Sequence, residues 1–481
     1  MSSGKETWRL TALAAAVGLA VAAGSVAAAG PWDSGQRTAE RARAAAQERR
    51  PGGAQHAGPE PGAAAPVLAA LGAPTGSGTP GTGEDAVPPP TASGLADALE
   101  PLLDDQALGP VRTASVVDAA TGRQVYGAGA GTGATPASVI KLATGAAVLS
   151  ALGPEHRLST RVADGGKGRV ILVGGGDPTL TARAVQGGDH PASLRELADD
   201  TARALKKRGT RRVSLGFDTS LYSGTVQHPI GPNENISPVT PLMADEGRLD
   251  ESDHGPAPRS GDPAADAART FAAMLRDRGV AVKGEPNGAK AAKDADVLAT
   301  VRSQPLSALV ERMLTTSDND IAEALARHTA LAAHRPASFT GAARAVTDRL
   351  KKLGVPVTGA KIADGSGLDR ADRVSAGLLS QVLVRAADGE HPELRPVITG
   401  LPVAGFTGTL RGRYAQDAVG RGVVRAKTGT LTGVNTLAGT VVDADGRLLV
   451  FAFMTTGTTD ALGAQRALDR LASAVANCGC R

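Results

Sequence analysis

The stretch "NTLAGTVVDADGRLLVFAFMTT", residues 435–456, is two apolar runs rich in β-branched residues, joined across Asp443-Ala444-Asp445-Gly446. Strand-forming runs on either side of an Asp-Gly turn predict a β-hairpin. Working outward, an amphipathic helix is expected from about Thr459 to Ala476. At the other end of the ordered chain, "TASVVDAATGRQVYGAGAG" (113–131) reads as two short strands around an Ala-Thr-Gly turn. It is followed by "GATPASVIKLATGAAVLSALG" (133–153), an apolar helix. Strands at both ends with helices between them predict an α+β fold, one antiparallel sheet built from the two ends and flanked by helices.

Between about 155 and 300 the texture changes. Gly- and Asp-rich turns alternate with strands such as "RVILVGGG" and "RRVSLGF" and helices such as "SLRELADDTARALKKRG". This predicts a smaller α/β domain, residues 156–299, inserted into a main domain of residues 94–155 and 300–481. Residues 30–93 are rich in Gly, Pro, Ala and Thr, apart from a charged patch "TAERARAAAQERR". Such a composition buries too little apolar surface to offset its ordering entropy and reads as a flexible tether. Ahead of it, Lys5 and Arg9 precede an uncharged apolar run ending in Ala27-Ala28-Ala29. Residues 1–29 therefore read as an export signal or, at close to ~20 apolar residues, a retained membrane anchor. Either way the bulk of the chain is expected outside the cytoplasm.

The 481 residues carry a net charge of +4, with the basic residues spread along the chain, which gives no footprint for nucleic acid. The 42% hydrophobic content and 2% aromatics predict a core of aliphatic side chains. The two cysteines, Cys478 and Cys480, either close a very small ring or remain thiols, and neither could staple the fold. Eight scattered histidines without an HExxH or Cys/His cluster predict no metal, and no cofactor motif is present.

Three short motifs could carry chemistry. In the 133–153 helix Thr135 is placed to cap and Pro136 to start the first turn, so that Ser138 and Lys141 share a face. A serine hydroxyl becomes a nucleophile only when a base takes its proton, and a lysine can do so only when neutral, which burial promotes. The spacing alone is weak, since Ser2 and Lys5 share it. In "MLTTSDNDIAEALARH" (313–328), Ser317, Asp318 and Asn319 lie between two helical runs, where Ser, Asp and Asn also serve as caps. In "RAKTGTL" (425–431), Lys427, Thr428 and Gly429 sit at the end of a strand, where a lysine also suits a sheet edge. The order of the three, nucleophile then Ser-x-Asn then Lys-Thr-Gly, makes accident improbable.

That ordered set resembles the penicillin-recognising serine acyl-transferases. "GGGDPTL" (174–180), "DTSLYSG" (218–224), "DGSGLDR" (364–370) and "GFTGTLRGRY" (405–414) narrow the resemblance to the D-alanyl-D-alanine carboxypeptidase/endopeptidases of peptidase family S13. It covers roughly residues 94–481 and implies the β-lactamase/transpeptidase-like fold. By this resemblance Ser138 attacks the carbonyl between two D-alanines and Lys141 takes its proton. Ser317 passes a proton to the leaving amine, and Asn319 holds Lys141 and the substrate amide. Lys427 supplies positive charge, Thr428 binds the terminal carboxylate, and the amides of Ser138 and Thr430 form the oxyanion hole. The partners implied are peptidoglycan stem peptides, with β-lactams as trapping inhibitors.

Two further expectations follow from the residues themselves. Gly429 should let the substrate backbone lie against the strand, and a charged Lys427 should depress the pKa of Lys141. "SPVTPLMADEGRLDESDHGPAPRSGDPAADAARTF" (237–271) is expected to lead quickly back to the main domain, without the second insert of larger family members. "DGSGLDR" carries Asp369 where the family more often has serine, and "GGGDPTL" and "DTSLYSG" read as turns of the inserted domain. The rivals are a serine β-lactamase, for which Glu323 is the nearest carboxylate after Ser317, and an inactive wall-binding protein on the same fold. A Ser-His-Asp hydrolase is disfavoured because no G-x-S-x-G surrounds Ser138.

Overall fold

The computed structural model describes residues 88–184, 190–414 and 418–480; the signal or anchor at 1–29 and nearly all of the tether lie outside them. The first helix, α1 (Ala92–Leu103), starts slightly before the expected Gly94. Thr91 caps it, its hydroxyl accepting from the Gly94 amide at 3.1 Å. The Thr91 amide donates to the Cys480 carbonyl at 2.7 Å, so the far end of the chain holds the start of α1. Cys478 and Cys480 are joined as a disulfide.

Next come β1 (Val111–Asp118), β2 (Gln124–Ala128) and the short β3 (Gly133–Ala134), then α2 (Lys141–Leu152). The chain passes to β4 (Ser159–Asp164), β5 (Arg169–Val173), α3 (Leu194–Lys207), β6 (Arg212–Asp218), α4 (Pro263–Asp277), β7 (Ala281–Gly288) and β8 (Val297–Arg302). Helices α5 (Leu306–Thr316), α6 (Asn319–Ala332) and α7 (Phe339–Lys352) follow, then β9 (Val374–Ser375) and α8 (Ala376–Ala387). The chain closes with β10 (Arg425–Leu431), β11 (Val434–Val442), β12 (Leu448–Thr456) and α9 (Ala461–Ala476).

The main sheet runs in the order β10-β11-β12-β1-β2 with every pairing antiparallel, so the two ends of the chain share one sheet as expected. Its central strand explains why residues 448–454 read as an unbroken apolar run. Val450, Ala452 and Met454 face a core that includes α2, α5, α6 and α8, while Leu449, Phe451 and Phe453 face a second core with α1 and α9. A strand covered on both faces has no polar side to show. At the hairpin turn the Asp443 carboxylate accepts from the amides of Asp445 and Arg447, and Gly446 takes φ +85°. Arg447 then reaches across to Asp118 with contacts of 2.6 and 2.8 Å.

The second sheet, β7-β6-β5-β4-β8, is mixed: β5, β6 and β7 are parallel, and β4 is antiparallel to both its neighbours. Its core takes residues from α3 and also from α4, including Phe271, Met274 and Leu275. This corrects the expected quick return at 237–271. The apolar face of α4 is buried on the second sheet, and the chain leaves that sheet only after β8.

Candidate active site

Ser138 does not sit inside the first α-helical turn. A 3₁₀ turn, Ala137–Ile140, precedes α2, which begins at Lys141. Thr135 does not cap it, because its hydroxyl accepts from Arg373 at 2.8 Å. The turn is held from outside instead. Ala137 is fully buried at φ +50°, and Gly367, at φ +83°, passes so close that a Cβ there would lie 2.0 Å from the Ala137 carbonyl oxygen. A 3₁₀ turn still places residues three apart together, so Ser138 and Lys141 meet as the spacing required.

Ser317 ends α5 as a left-handed C-cap at φ 63°, and Asp318 caps α6 by accepting from the Ile321 amide at 2.9 Å. The capping reading of this motif is therefore correct for Asp318, while the same junction turns Ser317 and Asn319 towards the cleft. Lys427, Thr428 and Gly429 lie in the middle of β10, an edge strand, rather than at its end.

These three pieces converge. Lys141 Nζ lies 3.0 Å from Ser138 Oγ, 2.7 Å from Asn319 Oδ1 and 2.6 Å from the Ser366 carbonyl oxygen. Two of these neighbours only accept, so they take two N–H groups. A neutral amine has two such hydrogens and one lone pair, and the lone pair is then left for the Ser138 hydroxyl. Lys427 Nζ donates to Ser317 Oγ at 2.8 Å and to the Thr428 carbonyl at 2.7 Å. The Thr428 hydroxyl donates to that of Thr409 at 2.8 Å, and Thr430 is exposed to the cleft.

Both lysines are fully buried. Burial pushes Lys141 down to about 8, against the pull of Asp364, Asp318, Glu323 and Asp372. Lys427 is pushed well below the ordinary lysine range by burial and by the charge on Lys141. Burial and the neighbouring amine thus act against the permanent charge expected of Lys427.

The reason for Gly429 also changes. A Cβ there would lie 2.1 Å from Thr436 Oγ1, 2.8 Å from the Pro136 carbonyl oxygen and 3.1 Å from the Ser138 amide nitrogen. Thr436 itself donates to Pro136 at 2.8 Å. The missing side chain is required by the packing of β10 and β11 on the turn that carries Ser138.

The cleft has a volume of about 380 Å³ and includes Ser138, Ser317, Asn319, Thr428 and Thr430. Asn235, Arg248 and Arg259 line it too, from the irregular segment between β6 and α4. That segment is tied beside Ser317 by Ser237 and Arg259 on Asp320, at 2.9 and 3.0 Å, and by Glu246 on Arg312 at 2.6 Å. It has no periodicity, so nothing in its sequence announced a wall of the site. Thr409 and Arg413, also in the lining, lie within the quoted "GFTGTLRGRY".

Glu323, the nearest carboxylate to a β-lactamase base in the sequence, is fully buried. It accepts from the amides of Gly365 and Ser366 at 2.9 Å each and pairs with Arg327 at 3.3 Å. Its work is to hold the 364–370 turn. Asp369 in that turn accepts from the Ala371 amide at 2.8 Å. "GGGDPTL" is more than a turn of the second sheet: the Gly176 carbonyl lies 3.3 Å from His328 Nε2 on α6, and a Cβ on Gly176 would collide with that ring.

The profile of the D-Ala-D-Ala carboxypeptidase 3 (S13) family matches residues 95–253 and 250–476. The chain is 39% identical over 403 residues to "Carboxypeptidase DacB" of Mycolicibacterium smegmatis, covering 82% of this chain and 86% of that one. It is 30% identical over 430 residues to a D-alanyl-D-alanine carboxypeptidase of Actinomadura sp. (strain R39), covering 74% and 79%. Among solved structures, penicillin binding protein 4 of Haemophilus influenzae superposes with a TM-score of 0.63 at 23% identity, over 79% of this chain and 97% of that one. The same protein complexed with a β-lactam matches with a TM-score of 0.59 at 24% identity, over 79% and 97%.

Proposed function

Because the chain belongs to the D-Ala-D-Ala carboxypeptidase S13 family, we propose that the Ser138 cleft is its acyl-transfer site, with roles assigned by the contacts above. The chain is a serine-type D-Ala-D-Ala carboxypeptidase acting on peptidoglycan through an acyl-enzyme. Neutral Lys141 takes the Ser138 proton as the oxygen attacks the penultimate D-alanine carbonyl. The amides of Ser138 and Thr430 stabilise the oxyanion. Ser317, hydrogen-bonded to Lys427, delivers a proton to the departing D-alanine nitrogen, and Thr428 receives the terminal carboxylate. Asn319 holds Lys141 with its oxygen, while its amide group is anchored on the Asn235 carbonyl at 2.9 Å. Water then releases the acyl group, and a β-lactam stalls there because its leaving group remains attached.

The observation that carries these assignments is the bonding of Lys141 to both Ser138 and Asn319. We assign residues 94–155 and 300–481 to the catalytic domain and 156–299 to an inserted domain. The same reading places the protein outside the cytoplasm, exported or anchored through residues 1–29, and extends its substrates to peptide cross-links. The test is intact-mass spectrometry after incubation with a labelled penicillin, followed by peptide mapping. One adduct on Ser138, absent from Ser138→Ala, is expected; label on another residue, or none on folded protein, overturns the assignment.

A further inference from the structure

Behind the lysine lies a buried pair that the mechanism above does not use. His228, in the segment between β6 and α4, places Nε2 2.9 Å from Asp364 Oδ2, and both side chains are wholly shielded from solvent. The Ile230 amide donates to His228 Nδ1 at 3.1 Å. With Nδ1 accepting, the ring proton is on Nε2 and the imidazole is neutral. Although burial raises it, hydrogen bonds from His228 and from the Asp372 carboxyl hold Asp364 down to about 2, so it keeps its negative charge in the protein interior. It also gathers the turn around itself, accepting from the Gly367 amide at 2.6 Å, the Asp369 amide at 2.7 Å and the Ser366 hydroxyl at 3.1 Å. Glu323 holds the Gly365 and Ser366 amides from the other side. The carbonyl of this doubly held Ser366 is the group that accepts from Lys141 at 2.6 Å.

We propose that His228 and Asp364 are positioning residues for acyl transfer, fixing the Ser366 carbonyl so that the Lys141 lone pair faces Ser138, with the Asp364 carboxylate as the governing charge behind that lysine. His228 arrives on the crossing segment of the second sheet, so the inserted part of the chain reaches the base and does more than wall the cleft. The proposal rests on Lys141 being the base. The titratable groups facing Lys141 are Glu323 and Asp318 from α6 and its cap, Asp364 and Asp372 from the 363–372 turn, and Lys427 from β10; burial and the Asp364 charge push the Asp372 carboxyl up to about 9, and Glu323, raised by burial and by Asp364, is paired with Arg327. Asp364 comes first among the carboxylates that favour the protonated lysine. Removing its charge therefore makes Lys141 easier to deprotonate even as the geometry is spoiled. A purely structural role would lower the rate and leave the pH dependence in place.

The test is the pH profile of penicillin acylation in the whole protein for Asp364→Asn, His228→Ala and His228→Gln, with thermal unfolding and Ser138 adduct mapping alongside. In Asp364→Asn the acid limb moves to lower pH by about one unit or more, as expected for loss of the carboxylate that most favours the protonated lysine, and the plateau falls. In His228→Ala, where the carboxylate loses its donor and takes up a proton more readily, the limb moves the same way by less. In His228→Gln the amide restores a donor and the limb returns towards the wild-type position. Folded Asp364→Asn and His228→Ala proteins whose limb coincides with that of the wild type overturn the proposal. If Asp364→Asn does not fold, the His228 pair decides alone. A wild-type protein labelled on Ser138 that has an acid limb upholds the underlying reading whatever the variants do, so the two failures are separable.

Discussion

Gly429→Ala tests whether the β10 strand is held at its distance from Ser138 by the protein or by the substrate. The new methyl would lie 2.1 Å from Thr436 Oγ1, a group that can rotate away, and 2.8 Å from the Pro136 carbonyl oxygen, which is backbone. Reaching an ordinary carbon–oxygen separation of about 3.3 Å requires strand and turn to part by roughly 0.5 Å. That movement separates the two amides assigned to the oxyanion, and losing one such donor costs ~10² to 10³ in rate. We expect acylation by a labelled penicillin to fall about 10²-fold, or about 2.7 kcal/mol in the barrier. Loss of the Thr436 to Pro136 hydrogen bond should lower stability by about 1 kcal/mol. Adding Thr436→Ala removes the rotatable clash but not the backbone one, so the double variant should regain less than tenfold. A Gly429→Ala protein that acylates within threefold of the wild type refutes this reasoning.

With Lys141 lowered to about 8, the acylation rate should rise about tenfold per pH unit below that value and level off above it, roughly 50-fold between pH 6 and 8; a flat profile there excludes Lys141 as the base. The same group binds fewer protons folded than unfolded between about pH 8 and 10.5, so its contribution to stability rises with pH across that window; unfolding titrations should show a shallower slope in Lys141→Met than in the wild type, the remainder coming from Lys427. Glu323→Gln should slow acylation and lower Tm without altering the lifetime of the penicilloyl-enzyme; a tenfold longer lifetime with normal acylation would instead make Glu323 a deacylating base. Arg447→Met strands the buried Asp118 carboxylate and should cost about 3 kcal/mol in denaturant unfolding, while folded protein still acylates, because this pair sits at the hairpin end of β11, away from Thr436.

The sheet was legible because its strands obey local rules: a run shielded on both faces is apolar throughout, and a turn needing φ above zero carries glycine. The three motifs were legible because acyl transfer restricts residue type and order. What escaped the sequence depends on distant segments meeting. That Lys427 is lowered as well as Lys141 follows only from two amines being buried together. The wall made by Asn235, Arg248 and Arg259 belongs to irregular chain whose position is set by Asp320 and Arg312. No pattern in residues 237–262 could reveal partners on α5 and α6.

The same separation explains where the reactive groups sit. Each is at an end or edge of an element whose body is core: Ser138 on the turn before α2, Ser317 at the left-handed junction of α5 and α6, and Lys427 on an edge strand. Two of these places use conformations that a non-glycine residue adopts only when its surroundings impose them, φ +50° at Ala137 and φ 63° at Ser317. The imposition comes from the packing of Gly367 on the first and from the helix pair on the second. Burial of α2 and α6 is thus what holds Ser138 and the Ser317 hydroxyl in place, and it is also what strips water from Lys141. In this chain burial in the core is the largest influence on the proton affinity of both amines, so a core substitution that admits water behind α2 should raise the proton affinity of Lys141 before it unfolds the domain.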